Sequence, residues 1–128
     1  MAIDVIVCAK NEAKILDSAL AQILHKVKPG KLIVVYGTSK DDTKEIAIRY
    51  TDNVFWDEDK GLGAARNLGM RKATTEIVAM IDADVILPNG WSKKLIRHFS
   101  NPQVAAVMGT CIYGYGCLPL QKLWEHKT

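Results

Sequence analysis

Apolar residues along the chain form short continuous runs, separated by segments of helical periodicity. Aliphatic and aromatic residues concentrate in runs typical of strands buried on both faces, at residues 3–8, 31–36, 53–56, 76–81 and 103–108. In the intervals, apolar positions recur at helical spacing and predict helices at residues 15–27, 46–50, 62–73 and 91–100. This alternation predicts an α/β fold, a mainly parallel sheet flanked by helices.

Turn-forming and capping residues mark the ends of these segments. Asn11 precedes the first predicted helix and is a candidate N-cap, while Pro29 and Gly30 follow its end. Asp41 or Asp42 is expected to cap the second helix.

Length and composition are those of one ordinary globular domain. The 128 residues are 48% apolar and 24% charged, which excludes a disordered chain, a collagen and a coiled coil. We expect a single domain, 1–128, with its core in residues 3–109 and a tail at 110–128 that acts as a partner or continuation segment. The net charge of +3 is too small to indicate nucleic-acid binding, so no nucleic-acid partner is predicted.

The cysteines favour a reducing compartment. There are three, without a CxxC pair or zinc-like spacing, and Cys8 is interpreted as a small buried hydrophobe. A bridge between Cys111 and Cys117 is the less favoured alternative. The N-terminal apolar run contains Asp4 and lacks a basic flank, so no signal peptide is predicted and the expected location is cytoplasmic.

Polar residues follow each of the first four predicted strands, at residues 9–12, 36–39, 57–61 and 82–84. Ligands of open α/β sheets bind beyond the carboxyl ends of the strands, so these four segments predict one site. Ordinary solvated loops are the alternative.

Asp82 and Asp84 form the sharpest local motif, two carboxylates directly after an apolar run. Such a pair can hold Mg²⁺ or Mn²⁺, whose remaining ligands are water and phosphate oxygens. The alternative is a helix cap beside a solvated acid.

Residues 61–67, GLGAARN, open the third predicted helix. Glycine lets backbone approach a ligand, a helix N-terminus attracts anions, and Arg66 lies one turn into the helix. The dinucleotide fingerprint is not met, because Arg66 stands at its third glycine position, and no Walker loop is present. A glycine-rich loop with a surface arginine is the alternative.

Other polar groups support simpler interpretations. Asn11 and Glu12 would equally serve the first helix N-terminus, and the histidines at 25, 98 and 126 lack metal-ligand spacing. A receiver-type signalling domain is a further alternative, and it needs an acidic pair after the first strand. This chain has Lys-Asn-Glu at residues 10–12 instead, so the sequence does not favour that class.

Taken in order, several segments resemble family 2 glycosyltransferases: residues 5–12, 32–35, 39–43, 61–67 and 81–84. The resemblance covers about residues 3–109. It implies the Rossmann-like nucleotide-diphospho-sugar transferase (GT-A) fold, a UDP- or GDP-sugar donor and a glycan or lipid-linked acceptor. It also implies a divalent cation, Mn²⁺ or Mg²⁺, and metal-dependent sugar transfer with inversion.

The resemblance also implies roles for individual residues. Ala9 and Glu12 would line the nucleotide pocket, and Arg66 would lie near the base or diphosphate. Asp82 would contact the ribose or nucleotide, and Asp84 would bind the metal.

Two features depart from the family pattern. Relatives usually carry an acidic residue that reads the base directly after the second strand, where this chain has Tyr36 and Gly37; Tyr36 could instead stack on the base. Relatives also carry a general base well beyond the DxD motif, and the acidic residue that follows Asp84 here is Glu125.

These departures leave several forms open: a truncated enzyme, a donor-binding module without turnover, or a homodimer in which a second subunit completes the site. The apolar residues of the tail would suit a partner surface: Leu118, Leu120, Leu123 and Trp124. Peripheral membrane association is a further expectation, because relatives often act on lipid-linked acceptors.

Overall fold

The computed structural model describes residues 2–109, in which four strands alternate with helices. The strands are β1 (Ile3–Ala9), β2 (Leu32–Tyr36), β3 (Val54–Trp56) and β4 (Ile77–Met80). The helices are α1 (Ala13–Lys26), α2 (Thr43–Tyr50), α3 (Leu62–Lys72) and α4 (Trp91–Ile96), with a 3₁₀ turn at Arg97–Ser100.

The strands form one parallel sheet in the order β3-β2-β1-β4. Val5 of β1 pairs with Leu32 of β2, Ile3 pairs with Ile77 of β4, and Val34 of β2 pairs with Val54 of β3. All carboxyl ends therefore open at one edge, and the predicted parallel α/β architecture is confirmed.

The two central strands supply most of the core. One face carries Ile6, Ile33 and Val35, which form a buried cluster with Ala65 of α3. Residues of the opposite parity, such as Val7 and Val34, point to the other face and are also fully buried. Burial on both faces explains why these strands are continuous apolar runs in the sequence.

Helix α3 approaches the sheet closely at Gly69. A Cβ atom there would lie 2.5 Å from Ile6 Cγ2, in a buried part of the sheet that has no room to relax. We expect Gly69→Ala to lower the free energy of unfolding by about 1–3 kcal/mol, the usual cost of overpacking a core.

Gly63 of the same helix provides the matched control for Gly69→Ala. A Cβ atom at this position would meet no other atom within 4 Å, and alanine is the better helix former. Urea denaturation of Gly63→Ala should give an unchanged or slightly higher stability. Equal stabilities of the two variants would contradict the close packing of α3.

The carboxylate of Asp4 is fully buried in β1 and joins two loops to the sheet. The backbone N–H of Lys31 donates to Oδ1 at 2.8 Å, and those of Thr74 and Thr75 donate to Oδ2 at 2.8 and 3.3 Å. Burial alone would raise the pKa of Asp4, but these N–H groups and the Lys31 charge outweigh it and lower the pKa. Gly30 packs against the carboxylate, since a Cβ there would lie 2.9 Å from Oδ1.

The predicted fifth strand, residues 103–108, is wrong: the chain there forms neither strand nor helix. Four of the six residues are exposed, including both alanines, a residue type that is depleted in strands. An apolar run indicates burial but does not by itself provide a pairing partner.

The last predicted helix is also shorter than expected. The α-helical part of residues 91–100 ends at Ile96 and continues as the 3₁₀ turn. Its apolar residues Leu95, Ile96 and Phe99 are half-buried rather than fully buried.

Contacts divide the chain into two compact units, Met1–Ser92 and Lys93–Thr128. The sheet, its core and the site described below belong to the first unit, and the single-domain assignment stays a prediction. The 110–128 segment, with Cys111, Cys117 and the apolar tail residues, lies outside the described residues. Within residues 2–109, no helix has the length and apolar character required to cross a bilayer.

Candidate functional site

A pocket of about 310 Å³ opens at the carboxyl edge of the sheet. Its walls come from the ends of β1, β2 and β3 and from the start of α3. The lining residues are Cys8, Ala9, Lys10, Glu12, Val35, Asp57, Asp59, Gly61, Leu62 and Ala65. Of the four segments that the sequence predicts to form one site, residues 9–12 and 57–61 line this pocket, whereas residues 36–39 and 82–84 do not.

The loop between β1 and α1 is held by the loop that precedes α2. Asn11 adopts a left-handed φ of 52° and accepts a hydrogen bond from the Lys40 backbone N–H at 2.8 Å. The Ala13 N–H donates to Asp41 Oδ2 at 3.1 Å, and the Glu12 N–H donates to Thr43 Oγ1 at 3.0 Å. The predicted N-cap role of Asn11 is therefore wrong, because side chains 28 to 31 residues further along the chain satisfy this helix end.

Asp41 also supports the start of α2. Its carboxylate accepts hydrogen bonds from the backbone N–H and the hydroxyl of Thr43. Asp42 occupies the N-cap position without a side-chain hydrogen bond. Of the two expected caps, Asp41 thus supplies the carboxylate that accepts hydrogen bonds at the start of α2, and Asp42 occupies the N-cap position in the backbone.

Ala9 and Glu12 lie in the pocket wall, and their contact with a nucleotide stays a prediction. Partial burial raises the pKa of the half-buried Glu12 carboxyl, and the negative charges of Asp84, Asp82 and Asp41 raise it further. The site thus collects carboxylates from β1, β4 and the loop before α2, which repel one another in the absence of a cation.

The chain turns directly after β4, within the DxD motif. The Val85 N–H donates to the Asp82 carbonyl at 3.2 Å, and this turn buries Ala83 while leaving Asp82 and Asp84 exposed. The negative charges of both carboxylates contribute to raising the pKa of Glu12.

Arg66 faces the same motif from helix α3. Its Nη2 lies 3.8 Å from Asp82 Oδ1, a solvent-exposed pair that contributes about 0–1 kcal/mol to stability. Arg66, Asp82 and Asp84 lie outside the pocket wall itself, at the same edge of the sheet.

Cys8 differs from the sequence prediction. It is half-buried and lines the pocket, rather than being enclosed in the core. Burial raises the pKa of its thiol, Arg66 lowers it, and the charges of Asp82 and Asp57 raise it. Cys8 lies in the pocket wall, together with Asp57 and Glu12.

Tyr36 lies at the end of β2 but outside the pocket wall. It has the opposite parity to the pocket-lining Val35, and Lys44 of α2 lies over its ring with Nζ 5.6 Å from the centroid. Tyr36 therefore faces the α2 side of the sheet, and its stacking on a base stays a prediction.

Sequence reasoning did not assign Asp57 and Asp59, which the loop after β3 delivers to the pocket. Asp59 accepts hydrogen bonds from the Thr38 backbone N–H at 2.9 Å and from the Thr38 hydroxyl at 2.6 Å, which lower its pKa. Trp56 Nε1 donates to the same hydroxyl at 3.3 Å. Their position after an apolar strand was the one sequence signal for these acids.

The donor set suits a hard cation that retains several non-protein ligands. Residues 2–109 contain no group of three or more His, Cys, Asp or Glu side chains arranged to enclose a metal ion. Asp84 stands exposed beside other carboxylates, and Mg²⁺ or Mn²⁺ is commonly held by one or two carboxylates together with substrate phosphates. The residues present therefore fit such a cation.

Comparisons with known proteins agree with this architecture. The chain is 33% identical over 113 residues to glycosyltransferase AglE of Haloferax volcanii, covering 84% of this chain and 37% of the relative. Glucosyl-3-phosphoglycerate synthase from Mycobacterium tuberculosis, crystallised with Mn²⁺, UDP and glucosyl-3-phosphoglycerate, is 28% identical with a TM-score of 0.63. That match covers 78% of this chain and 40% of the synthase.

A second solved structure, Staphylococcus aureus TarS, is 26% identical with a TM-score of 0.64, over 80% of this chain and 20% of TarS. The chain thus spans less than half the length of these relatives. These neighbours confirm the predicted GT-A fold. The model of glycosyl transferase family 2 matches residues 4–125, and this protein therefore belongs to that family.

Proposed function

We propose that the chain binds a nucleotide-diphosphate sugar with a divalent cation and provides the donor site of a glycosyltransferase. The observation that carries the proposal is the single edge at which the pocket, the α3 N-terminus, Arg66 and the DxD motif meet. Family membership and the UDP- and Mn²⁺-bound neighbour support the same assignment.

The start of α3 suits the diphosphate. Gly61 adopts a φ of 97°, and Gly61 and Leu62 line the pocket where the helix begins. Unpaired N–H groups and the helix dipole favour an anion at such a position. Arg66, one turn further, adds a positive charge that can reach phosphate oxygens.

Asp84 would hold the cation, with Asp82 contacting the ribose or nucleotide. When bound, Mn²⁺ or Mg²⁺ neutralises the negative charge that develops on the departing nucleoside diphosphate. Arg66 would orient the same phosphates, and the Asp82–Arg66 pair would fix the direction of both side chains.

Inverting transfer to a glycan or lipid-linked acceptor is the reaction we propose for the donor site. Such a displacement needs a base that takes the proton of the acceptor hydroxyl. Among the residues after Asp84, the acidic side chain is Glu125, outside the described residues. We propose that a second subunit of a homo-oligomer could supply this base. We also propose a cytoplasmic location, peripheral to the membrane.

Isothermal titration calorimetry with UDP and GDP tests the donor site. We expect measurable binding in the presence of Mn²⁺ and a large loss of affinity when EDTA replaces it. Binding of equal strength with and without the cation would contradict the metal-dependent site, and absence of binding under both conditions would contradict the proposed function as a whole.

A donor-binding module without turnover is the second candidate. The chain has no Asp or Glu between residues 85 and 124, the region in which the resemblance places the general base. Incubation with UDP-sugars and Mn²⁺ separates the two candidates: release of UDP supports the enzyme, whereas binding without UDP release on any acceptor supports the module.

A further inference from the structure

Asp57 borders the pocket at a point where the neighbouring strand lacks a side chain. Gly37, directly after β2, is buried, and a Cβ atom there would lie 3.0 Å from Lys10 Cδ and 3.4 Å from Asp57 Oδ2. The stem of Lys10 therefore occupies the space beside Gly37, and the carboxylate of Asp57 lies next to it. The end of β3, rather than the end of β2, supplies the acid at this end of the pocket.

The Asp57 carboxylate is held in position by its own loop. Its backbone N–H donates to the Tyr36 carbonyl at 3.0 Å, and its Oδ1 accepts the Asp59 N–H at 2.8 Å. The Lys60 N–H donates to the Asp57 carbonyl at 3.3 Å and closes the turn. These bonds fix the backbone and one carboxylate oxygen.

The second oxygen, Oδ2, accepts no hydrogen bond from residues 2–109, and no Lys, Arg or His nitrogen of that range forms an ion pair with Asp57. Asp59 differs, because Thr38 donates to both of its oxygens. At the pocket wall, Asp57 thus presents a carboxylate oxygen, Oδ2, that is fixed in position and accepts no hydrogen bond from the described residues. A carboxylate repels phosphate, so this end suits a neutral group that carries N–H donors.

We infer that Asp57 reads the nucleobase of the donor and favours bases with a ring N–H, uracil and guanine. This inference rests on the proposed donor site. Uracil and guanine carry a ring N–H on the edge used in base pairing, whereas cytosine and adenine carry a ring nitrogen lone pair there. An acceptor-only carboxylate pairs with the ring N–H of the first kind, whereas on the second kind it is repelled by the ring lone pair and can accept only from the neighbouring exocyclic amino group, so the first kind is favoured.

Asp57→Asn tests the inference with little change in shape. The amide oxygen can still accept the Asp59 N–H, so we expect the variant to fold with an unchanged melting temperature. Its NH₂ group can donate to the cytosine ring nitrogen and cannot accept a uracil N–H at the same point. With Mn²⁺ present, affinity for UDP and GDP should fall by about ten- to a hundredfold, the effect of losing one charge-assisted hydrogen bond, while CDP affinity rises or stays level.

Glu58→Gln is the matched control. Glu58 lies in the same loop and is exposed, and its carboxylate pairs with Lys60 at 2.6 Å outside the pocket wall. Its substitution removes one negative charge from the loop and should leave the ratio of UDP to CDP affinity unchanged.

Calorimetric titrations of UDP, GDP, CDP and ADP against the three proteins give distinguishable outcomes. A selective loss for UDP and GDP in Asp57→Asn supports base reading. Uniform weakening for all four nucleotides, or an unchanged UDP to CDP ratio, overturns it while the donor site stands. If Asp57→Asn weakens the binding of UDP but not that of 2′-deoxy-UDP, Asp57 contacts the ribose and the inference is wrong. If the wild-type protein binds none of the nucleotides, both the inference and the proposed function fail.

Discussion

Replacing Asp4 with alanine is expected to lower the free energy of unfolding by about 3 kcal/mol, because three part-buried backbone donors would lose their acceptor at about 1 kcal/mol each, the low end of the cost of an unsatisfied donor. Those donors are the N–H groups of Lys31, Thr74 and Thr75, which the carboxylate holds at the amino-terminal edge of the sheet. Neither loop has another acceptor for these groups among residues 2–109. Urea denaturation followed by circular dichroism measures the loss.

Asp52→Ala is the control for Asp4→Ala. Asp52 is exposed between α2 and β3, and surface substitutions of this kind change stability by about 0.5 kcal/mol or less. If Asp4→Ala proves as mild as Asp52→Ala, the network around Asp4 does not stabilise the fold. Asp4→Asn keeps one acceptor oxygen and the shape of the side chain but removes its charge. It should lower the free energy of unfolding by an intermediate amount, which measures the contribution of the charge.

The same network predicts a pH dependence. The pKa of Asp4 is lowered in the folded protein, so the carboxylate contributes stability that is fully present above its unfolded value of 3.8. That contribution should disappear as the pH falls from about 3.8 through the lower folded pKa. In Asp4→Ala, this part of the acid dependence should be absent, and urea denaturation at pH 3 and pH 6 makes the comparison.

Asp84→Asn is expected to abolish the cation-dependent part of nucleotide binding. Asparagine keeps the shape but removes the charge that would hold Mn²⁺ next to the diphosphate. A ligand at a hundred times its dissociation constant stabilises a protein by about 2.7 kcal/mol, so the wild type should melt several degrees higher with UDP and Mn²⁺. The variant should show little of this shift while keeping the wild-type melting temperature without ligand, since Asp84 is exposed and has no hydrogen-bond partner in the described part of the chain.

Glu76→Gln provides the comparison, because Glu76 is exposed just before β4, whereas Asp84 lies beyond its other end. It removes the same charge at a distance from the pocket and should leave the ligand-induced shift intact. A full shift in Asp84→Asn, or an equal loss in both variants, would contradict a cation site at Asp84.

The sequence predicts the sheet well because of its physical setting. Central parallel strands such as β1 and β2 are buried on both faces and are therefore apolar almost throughout, with Asp4 of β1 as the exception, so their lengths follow directly from the residues. The failed strand at residues 103–108 shows the limit of this reasoning. Residues 103–108 are as apolar as the true strands, but a strand also needs a neighbouring strand to pair with, and the sequence does not show whether one is present.

The candidate site likewise contains some residues that the sequence could place and others that it could not. Ala9 and Glu12 follow a strand and lie in the pocket wall, because the carboxyl ends of parallel strands meet at one edge. The assignments that failed or were missed depend on long-range packing. The acceptors for the start of α1 come from Asp41 and Thr43, and Asp57 reaches the pocket from the loop after β3.

A crystal structure of the chain with Mn²⁺ and UDP tests the central claim most directly. We predict an anomalous manganese peak in contact with the Asp84 carboxylate and a diphosphate at the start of α3, within reach of Arg66. A nucleotide bound away from this edge of the sheet, or manganese bound without contact to Asp84, would contradict the account.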